Sequence, residues 1–359
     1  MKKLDLYIIR KFLGTFVFSI LLILSIGIVF DITEKLDNFY EYQLSWRDII
    51  MGYYIHFIPY YTNMFCQLFI FISVIFFTSK LAGNSEIIAM MATDMSIQRL
   101  FRPYLISATI LFIFTFWLGG YVIPPASGKL LDFTDKYIDH FTSENARNVQ
   151  MKVGPGTILY IETYRQTNQT GYRTSYEHFE DKTLKTRITA DRIVHDSAYN
   201  WHFETYTRRD FDGLNESLTR GYRLDTIIPL LPDELFLTAE MAQQLTNPEL
   251  GAYLKRQHDR GAANLQAFET EWHKRFASPI GAFIMTLLGF VMSCRKVRGG
   301  TSKNLGIGIV LSAAYILFST VSGTFSAGGL MSPFWAAWIP NFIFLAIGVT
   351  MYIRVRKYY

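Results

Sequence analysis

Asn200-Trp201-His202-Phe203-Glu204-Thr205-Tyr206 sets Trp201, Phe203 and Thr205 against His202, Glu204 and Tyr206 in strict alternation. A two-residue period belongs to a strand that buries one face. Similar β-rich runs occur at Thr157 to Tyr164, Thr186 to Val194 and Leu218 to Ile228, with turn signals at Gly154-Pro155-Gly156 and Asp212-Gly213 between them. All of these lie between about Pro124 and His273, a block without any apolar run of membrane-crossing length. The block reads as an all-β domain, a sandwich or an open β-roll. After Pro232 its composition turns helical, and Pro248-Glu249-Leu250 to Gly261 reads as a short capped helix.

Outside that block the chain is of a different kind. Half of its 359 residues are hydrophobic and 16% are aromatic, with the apolar residues gathered in runs, as in membrane proteins. Candidate spans are Phe12 to Phe30, a stretch within Ile49 to Ser79, Pro103 to Ile123, Phe276 to Ser293, Leu305 to Ser326 and Phe334 to Ile353. The second is too long for one straight span, and Pro59 is the expected kink. The organisation is therefore three helices in residues 1–123, a β-domain in 124–272 and three helices in 273–359. Phe12 to Phe30 is longer than a signal-peptide core, and Ser25 to Thr33 offers no A-x-A cleavage pattern, so it reads as a retained first helix.

Short-loop Lys and Arg residues orient such a bundle. They gather at Lys2, Lys3, Arg10 and Lys11, at Lys80, Arg99 and Arg102, at Arg295, Lys296, Arg298 and Lys303, and at Arg354, Arg356 and Lys357. Six crossings place all four groups on one side. Both termini are then expected in the cytoplasm and the β-domain outside it.

Motifs for chemistry are missing. No G-x-x-x-x-G-K-[ST] is present, since Gly299-Gly300-Thr301-Ser302-Lys303 and Ser127-Gly128-Lys129 lack its spacing. There is no H-E-x-x-H and no G-x-S-x-G, the seven histidines are scattered, and Cys66 and Cys294 both belong to apolar runs. No catalytic, cofactor or metal residue is assigned, an enzyme is not expected, and nothing points to nucleic acid.

The turn between the second and third spans carries more information. Asn84 or Ser85 is placed to cap a helix starting at Glu86, with Ile87, Ile88, Met90 and Met91 as an apolar face before Asp94. Such a helix either lies on the bilayer surface or docks in a groove of a partner protein. Asp31, Glu34 and Lys35 form a second cluster, at the end of the first span. They read as a water-exposed helix end or as part of a substrate path. Pro340 and Asn341 in the last span read as a packing kink.

In order and spacing the chain resembles the LptF/LptG permeases of lipopolysaccharide export, more the LptG member by length. The resemblance rests on Ser85-Glu86-Ile87-Ile88-Ala89-Met90, on Trp272-His273-Lys274-Arg275-Phe276-Ala277-Ser278-Pro279, on Gly299-Gly300, and on Gly329 through Pro333 to Trp338-Ile339-Pro340-Asn341. It implies an inner-membrane protein of six helices, 3+3, with an inserted periplasmic β-jellyroll-like domain. It also implies a heterodimer with an LptF-type sister permease, an LptB-type ATPase dimer, an LptC-type bridge protein and lipopolysaccharide as cargo. A coupling helix at about 84–96 would present Glu86, Ala89 and Met90 to the ATPase. Lys35 is a candidate for the lipid path, and Trp201 and Phe203 are expected to point into an apolar interior that is either the core of the β-domain or an acyl-chain groove on that path. Two departures are visible: Asp94 stands where the family has a small Gly, and the lysine cluster near the outer end of the first helix is reduced to Lys35 among acids. A lipoprotein-extracting permease would be expected to have four helices. A membrane-anchored scaffold for a β-domain would need neither six helices nor the acidic turn.

Overall fold

The computed structural model describes residues 3–138, 145–180, 183–213, 215–232, 235, 239–259, 265–294 and 300–357. Two compact units emerge, one of Met1–Ile138, Gln243–Asn247 and Glu269–Tyr359, the other of Asp139–Ala242 and Pro248–Phe268.

The first unit is helical. Its elements are α1 (Lys3–Glu41), α2 (Trp46–Asp48), a π-helical stretch Ile49–Tyr54, α3 (Ile55–Met64), α4 (Cys66–Gly83), α5 (Glu86–Met91) and α6 (Ile97–Trp117). A second π-helical stretch, Leu118–Val122, joins α6 to α7 (Ile123–Tyr137). Later in the chain α10 (Gln266–Ser293), α11 (Gly300–Ala327) and α12 (Pro333–Arg356) complete the unit, while α8 (Ala239–Gln244) and α9 (Asn247–Asp259) fall mostly in the second unit. Among the described residues six helices are long and apolar enough to cross a membrane: α1, α4, the continuous α6–α7, α10, α11 and α12.

Apolarity does not sort these helices by position. In the apolar windows of α4 and α10, 72% and 67% of residues are buried, against 17% in α1 and 22% in α11. The buried residues of α1 include Ile8, Phe12, Phe16, Ile20 and Leu24, one every fourth position, and Phe12 stacks on Phe77 at 5.5 Å. Leu6, Val17, Phe18, Leu21 and Phe30 on its other sides are exposed, as expected of a helix whose solvent is hydrocarbon or a partner helix. Against α10, Gly289 lets the backbone approach α4, where an added Cβ would stand 2.9 Å from Val74.

Two expected boundaries move. The second span breaks at Phe65 (φ −100°, ψ 9°), with Pro59 inside α3. Phe65 N–H still reaches the Tyr61 carbonyl at 3.1 Å, so the chain turns without ending its ladder. The third span continues past Ile123 to Tyr137, because the π turn at Gly119 and Gly120 absorbs the irregularity that Pro124 and Pro125 introduce. Gly120 is required there: a Cβ would lie 2.3 Å from the Asn247 side chain.

The second unit holds six antiparallel strands in sequence order: β1 (Asn145–Gly154), β2 (Thr157–Arg165), β3 (Thr170–Glu180), β4 (Thr183–Ser197), β5 (Asn200–Asp212) and β6 (Asn215–Ile227). The inserted all-β domain is thus present, as a single meandering sheet over one core among the described residues. Trp201, Phe203, Ile161 and Ile193 are fully buried in that core, together with Tyr164 and Ile228. Gly154-Pro155-Gly156 makes the β1–β2 turn, with Gly156 at φ +66° and a Cβ there 2.2 Å from the Phe179 carbonyl oxygen.

Strand alternation slips at one shared level in β2 to β6, where the pairing skips Glu162, Arg173, Asp191, Thr205 and Tyr222. Separate irregularities lie nearer the strand ends, at Lys152/Gly154, His178/Phe179 and His195/Ser197. Across the shared level the inward residues step by three instead of two: Ile161 to Tyr164, Gly171 to Thr174, Ala190 to Ile193, Phe203 to Tyr206 and Gly221 to Leu224. Arg173 and Thr205 take left-handed backbone, φ +52° and +51°, at a cost of roughly 1–2 kcal/mol each. The strands therefore share one transverse crease. Thr205, expected inside with Trp201 and Phe203, is exposed, and Tyr206 packs inward in its place. Exposed ion pairs such as Arg173–Glu162 (3.0 Å) and Arg208–Asp210 (2.8 Å) lace the outer face. Hydrogen bonds from Arg208 and then Thr186 hold the Asp210 carboxyl below its usual range.

Candidate functional site

The acidic turn is shorter and better tied down than its sequence suggests. α5 has six residues, and Ser85 precedes it with φ +61° and no side-chain cap, because the left-handed backbone turns its hydroxyl away from the helix amides. Asn84 does not cap the helix either. Its side-chain amide donates to Glu86 Oε1 at 3.2 Å, and the Tyr7 hydroxyl donates to Oε2 at 3.2 Å. Two donors, one on each oxygen, thus hold the Glu86 carboxylate at the helix start. The expected apolar face is largely spent internally: Ile87 is buried and Met90 and Met91 pack on the helical core. Ile88 and Ala89 remain exposed. Asp94 sits at φ +57°, the backbone a glycine serves best and one that Asp tolerates.

Lys35 is not a free cation. Its ammonium donates to Asp31 at 2.5 Å and to the Tyr53 hydroxyl, and lies 4.6 Å from the Tyr53 ring centroid. Tyr54 donates to the other Asp31 oxygen at 2.9 Å. Both charged side chains are mostly covered, 17% and 11% exposed. The four-residue spacing on α1 brings acid and base together, and the π-helical stretch Ile49–Tyr54 sets two consecutive tyrosines beside them.

A different pair of cations borders a cavity of about 250 Å³ in the helical unit. Tyr60 and Asn63 of α3, Gln67 of α4, Lys274 and Arg275 of α10, and Ser319 and Thr320 of α11 are among its lining. Arg275 is buried and satisfied, donating to Glu271 at 3.1 Å, to Asn247 Oδ1 at 3.1 Å and to the Gln243 carbonyl at 3.4 Å. Gln67 donates to the Ser278 carbonyl and hydroxyl at 3.0 and 2.8 Å. Asn341 accepts from Tyr315 at 2.6 Å and donates to the Ala277 carbonyl at 2.7 Å. These bonds join α4, α10, α11 and α12 by polar contacts, the kind of glue that membrane bundles use, and Asn341, next to Pro340 inside α12, is part of it. Lys274 has no carboxylate partner among the described residues. Trp272 through Pro279 carries part of the family resemblance, and no chemistry is assigned to it from sequence. The available signal was one acid, Glu271, for two adjacent cations one turn before an apolar run.

In the sheet unit, Trp201 and Phe203 are fully buried, and Trp201 Nε1 donates to the Leu230 carbonyl at 3.0 Å. Their place is the core of the sheet. Asp196, His202 and Asp225 converge closely enough to hold a metal ion. Arg223 already occupies that cluster, at 2.9 Å from Asp225 and 3.5 Å from Asp196, and supplies the positive charge an ion would bring. Arg295, Lys296 and Arg298 lie outside the described residues.

No curated protein matches the chain. The family described as lipopolysaccharide export system permease LptF/LptG matches residues 6–354, nearly the whole length. Its members are transport components, and six apolar helices with an inserted sheet are the architecture of a multi-pass inner-membrane protein of that kind. With that match added to the helices, the sheet and the acidic turn, the chain belongs to the LptF/LptG family of lipopolysaccharide export permeases.

Proposed function

We propose that this chain is one permease half of an ABC transporter that lifts lipopolysaccharide from the inner membrane and passes it through the sheet unit toward the outer membrane. Both termini and the Glu86 turn face the cytoplasm, and the sheet unit is periplasmic. An LptF-type sister permease completes the membrane part, an LptB-type ATPase dimer hydrolyses ATP, and an LptC-type bridge protein accepts the lipid. The observation that carries the reading is the Glu86 turn. Its carboxylate is held by Tyr7 and Asn84 at the start of a short helix, with Ile88 and Ala89 exposed beside it. Met90 supports that helix from beneath by packing on the core. A charged hydrogen bond from a partner arginine to such an acid is worth roughly 1.5–3 kcal/mol, enough to change docking by ten-fold or more.

Lipid release per ATP hydrolysed, measured in liposomes with the whole complex, tests the role of the turn. Glu86→Ala should fold and assemble but hydrolyse ATP with reduced lipid release. Wild-type stoichiometry in the assembled variant removes Glu86 from the coupling path. Orientation is tested by cysteine labelling at Thr93, expected only from the cytoplasm, and at Tyr222, expected only from outside. Tyr222 is 89% exposed, while both native cysteines are buried.

A further inference from the structure

Lys274 is a positive charge without a counter-ion. It stands two residues before the apolar run that begins at Phe276, so the hydropathy of α10 puts it where that helix would enter hydrocarbon. Charges at such a position are retained when something pairs with them. Among the described residues nothing does. Glu271 lines the same cavity, but its carboxylate is taken by Arg275. The charges bordering the cavity are therefore one acid and two cations, an excess of one positive charge.

The bland alternative is that the ammonium snorkels outward to water. The packing opposes this. A Cβ added to Gly323 of α11 would lie 2.5 Å from Lys274 Nζ and 3.0 Å from its Cε, so the end of the side chain rests on α11 in a space that a glycine leaves open. Two further polar groups line the cavity without a hydrogen bond to any described residue, the Asn63 amide and the Ser319 hydroxyl. An ammonium, an amide and a hydroxyl are three kinds of donor, arriving from α10, α3 and α11. A tetrahedral oxyanion accepts from several directions at once and carries the missing charge.

We infer that Lys274, with Asn63 and Ser319, forms a phosphate-binding site within the helical unit, suited to the phosphate of a lipid headgroup. Interfacial depth is where such phosphates lie, and the apolar helices around the cavity suit the attached acyl chains. The site stands without the transport reading, which serves only to suggest lipid A as the phosphate carrier.

The test is lipid retention by the purified full-length protein in its complex, followed by native mass spectrometry. Probes are phosphorylated lipid A, dephosphorylated lipid A, phosphatidylglycerol and inorganic phosphate. Phosphorylated lipid A should bind at least ten-fold more weakly to Lys274→Gln, and Lys274→Arg should restore it. Gly323→Ala should reproduce the loss with an unchanged melting temperature, because it displaces only the end of a flexible side chain. Displacement of the lipid by inorganic phosphate assigns the site to the free anion; resistance to it assigns the site to headgroups. Binding of phosphatidylglycerol alone supports the site while counting against lipopolysaccharide as cargo. Equal retention of phosphorylated and dephosphorylated lipid A by the wild type, or unchanged affinity in both Lys274→Gln and Gly323→Ala, overturns the proposal.

Discussion

Lys35 and Lys274 look alike in sequence: each is a lysine at the end of an apolar helix with acids nearby. In the structure they are opposites. Lys35 is locked to Asp31 and embraced by Tyr53, whereas Lys274 borders a cavity whose one acid, Glu271, is committed to Arg275. The difference teaches that a cation near a membrane interface is not by itself a ligand site. What matters is whether the fold has already supplied its counter-charge. By that standard Lys35 has its counter-charge supplied within the fold, and the uncompensated charge is that of Lys274.

The comparison makes its largest demand on Asp31. Asp31→Ala strands the covered Lys35 ammonium, and removing one partner of a covered pair costs about 3 kcal/mol or more. Thermal unfolding of the detergent-purified protein, followed by tryptophan fluorescence, should show the loss, and adding Lys35→Met should recover most of it. A neutral Asp31→Ala would erase the distinction between the two lysines.

Next comes Glu271→Gln, which takes a charged acceptor from buried Arg275 but leaves it Asn247 and the Gln243 carbonyl. A cost of roughly 1.5–3 kcal/mol is expected in the same assay. Lys274→Gln should change stability by no more than about 0.5 kcal/mol in lipid-free detergent, since no ion pair of the ammonium is lost. A loss as large as that of Asp31→Ala would mean that a carboxylate does pair with it.

Asp210 and Arg208 also give a small effect: they are paired, but in water. The lowered carboxyl value of Asp210 contributes stability above the ordinary carboxylate range, and that contribution disappears as pH falls through the lowered value. Because the pair is exposed, the difference between wild type and Asp210→Asn should stay below about 1 kcal/mol at neutral pH and vanish in acid. Melting curves at the two pH values check it, and they separate pairing from burial as the source of the Asp31 effect.

Much of this protein follows from one-dimensional pattern. Runs of apolar residues about 20 long must cross hydrocarbon as helices, since the backbone has no other way to satisfy its hydrogen bonds there, and that fixed six spans and an insert between them. Two-residue alternation in the insert required strands with one buried face, and Trp201 and Phe203 were placed correctly on it. The alternation failed two residues later. The left-handed turn at Thr205 belongs to a crease shared by neighbouring strands, and a cooperative feature of the sheet leaves no signal in any single strand. Likewise all six spans are similarly apolar, so only packing distinguishes the buried α4 and α10 from the open α1 and α11. The two lysines follow the same rule. Sequence counts charges along one helix, but neutralisation depends on which carboxylate the fold brings within about 4 Å, and that distance is set by tertiary structure.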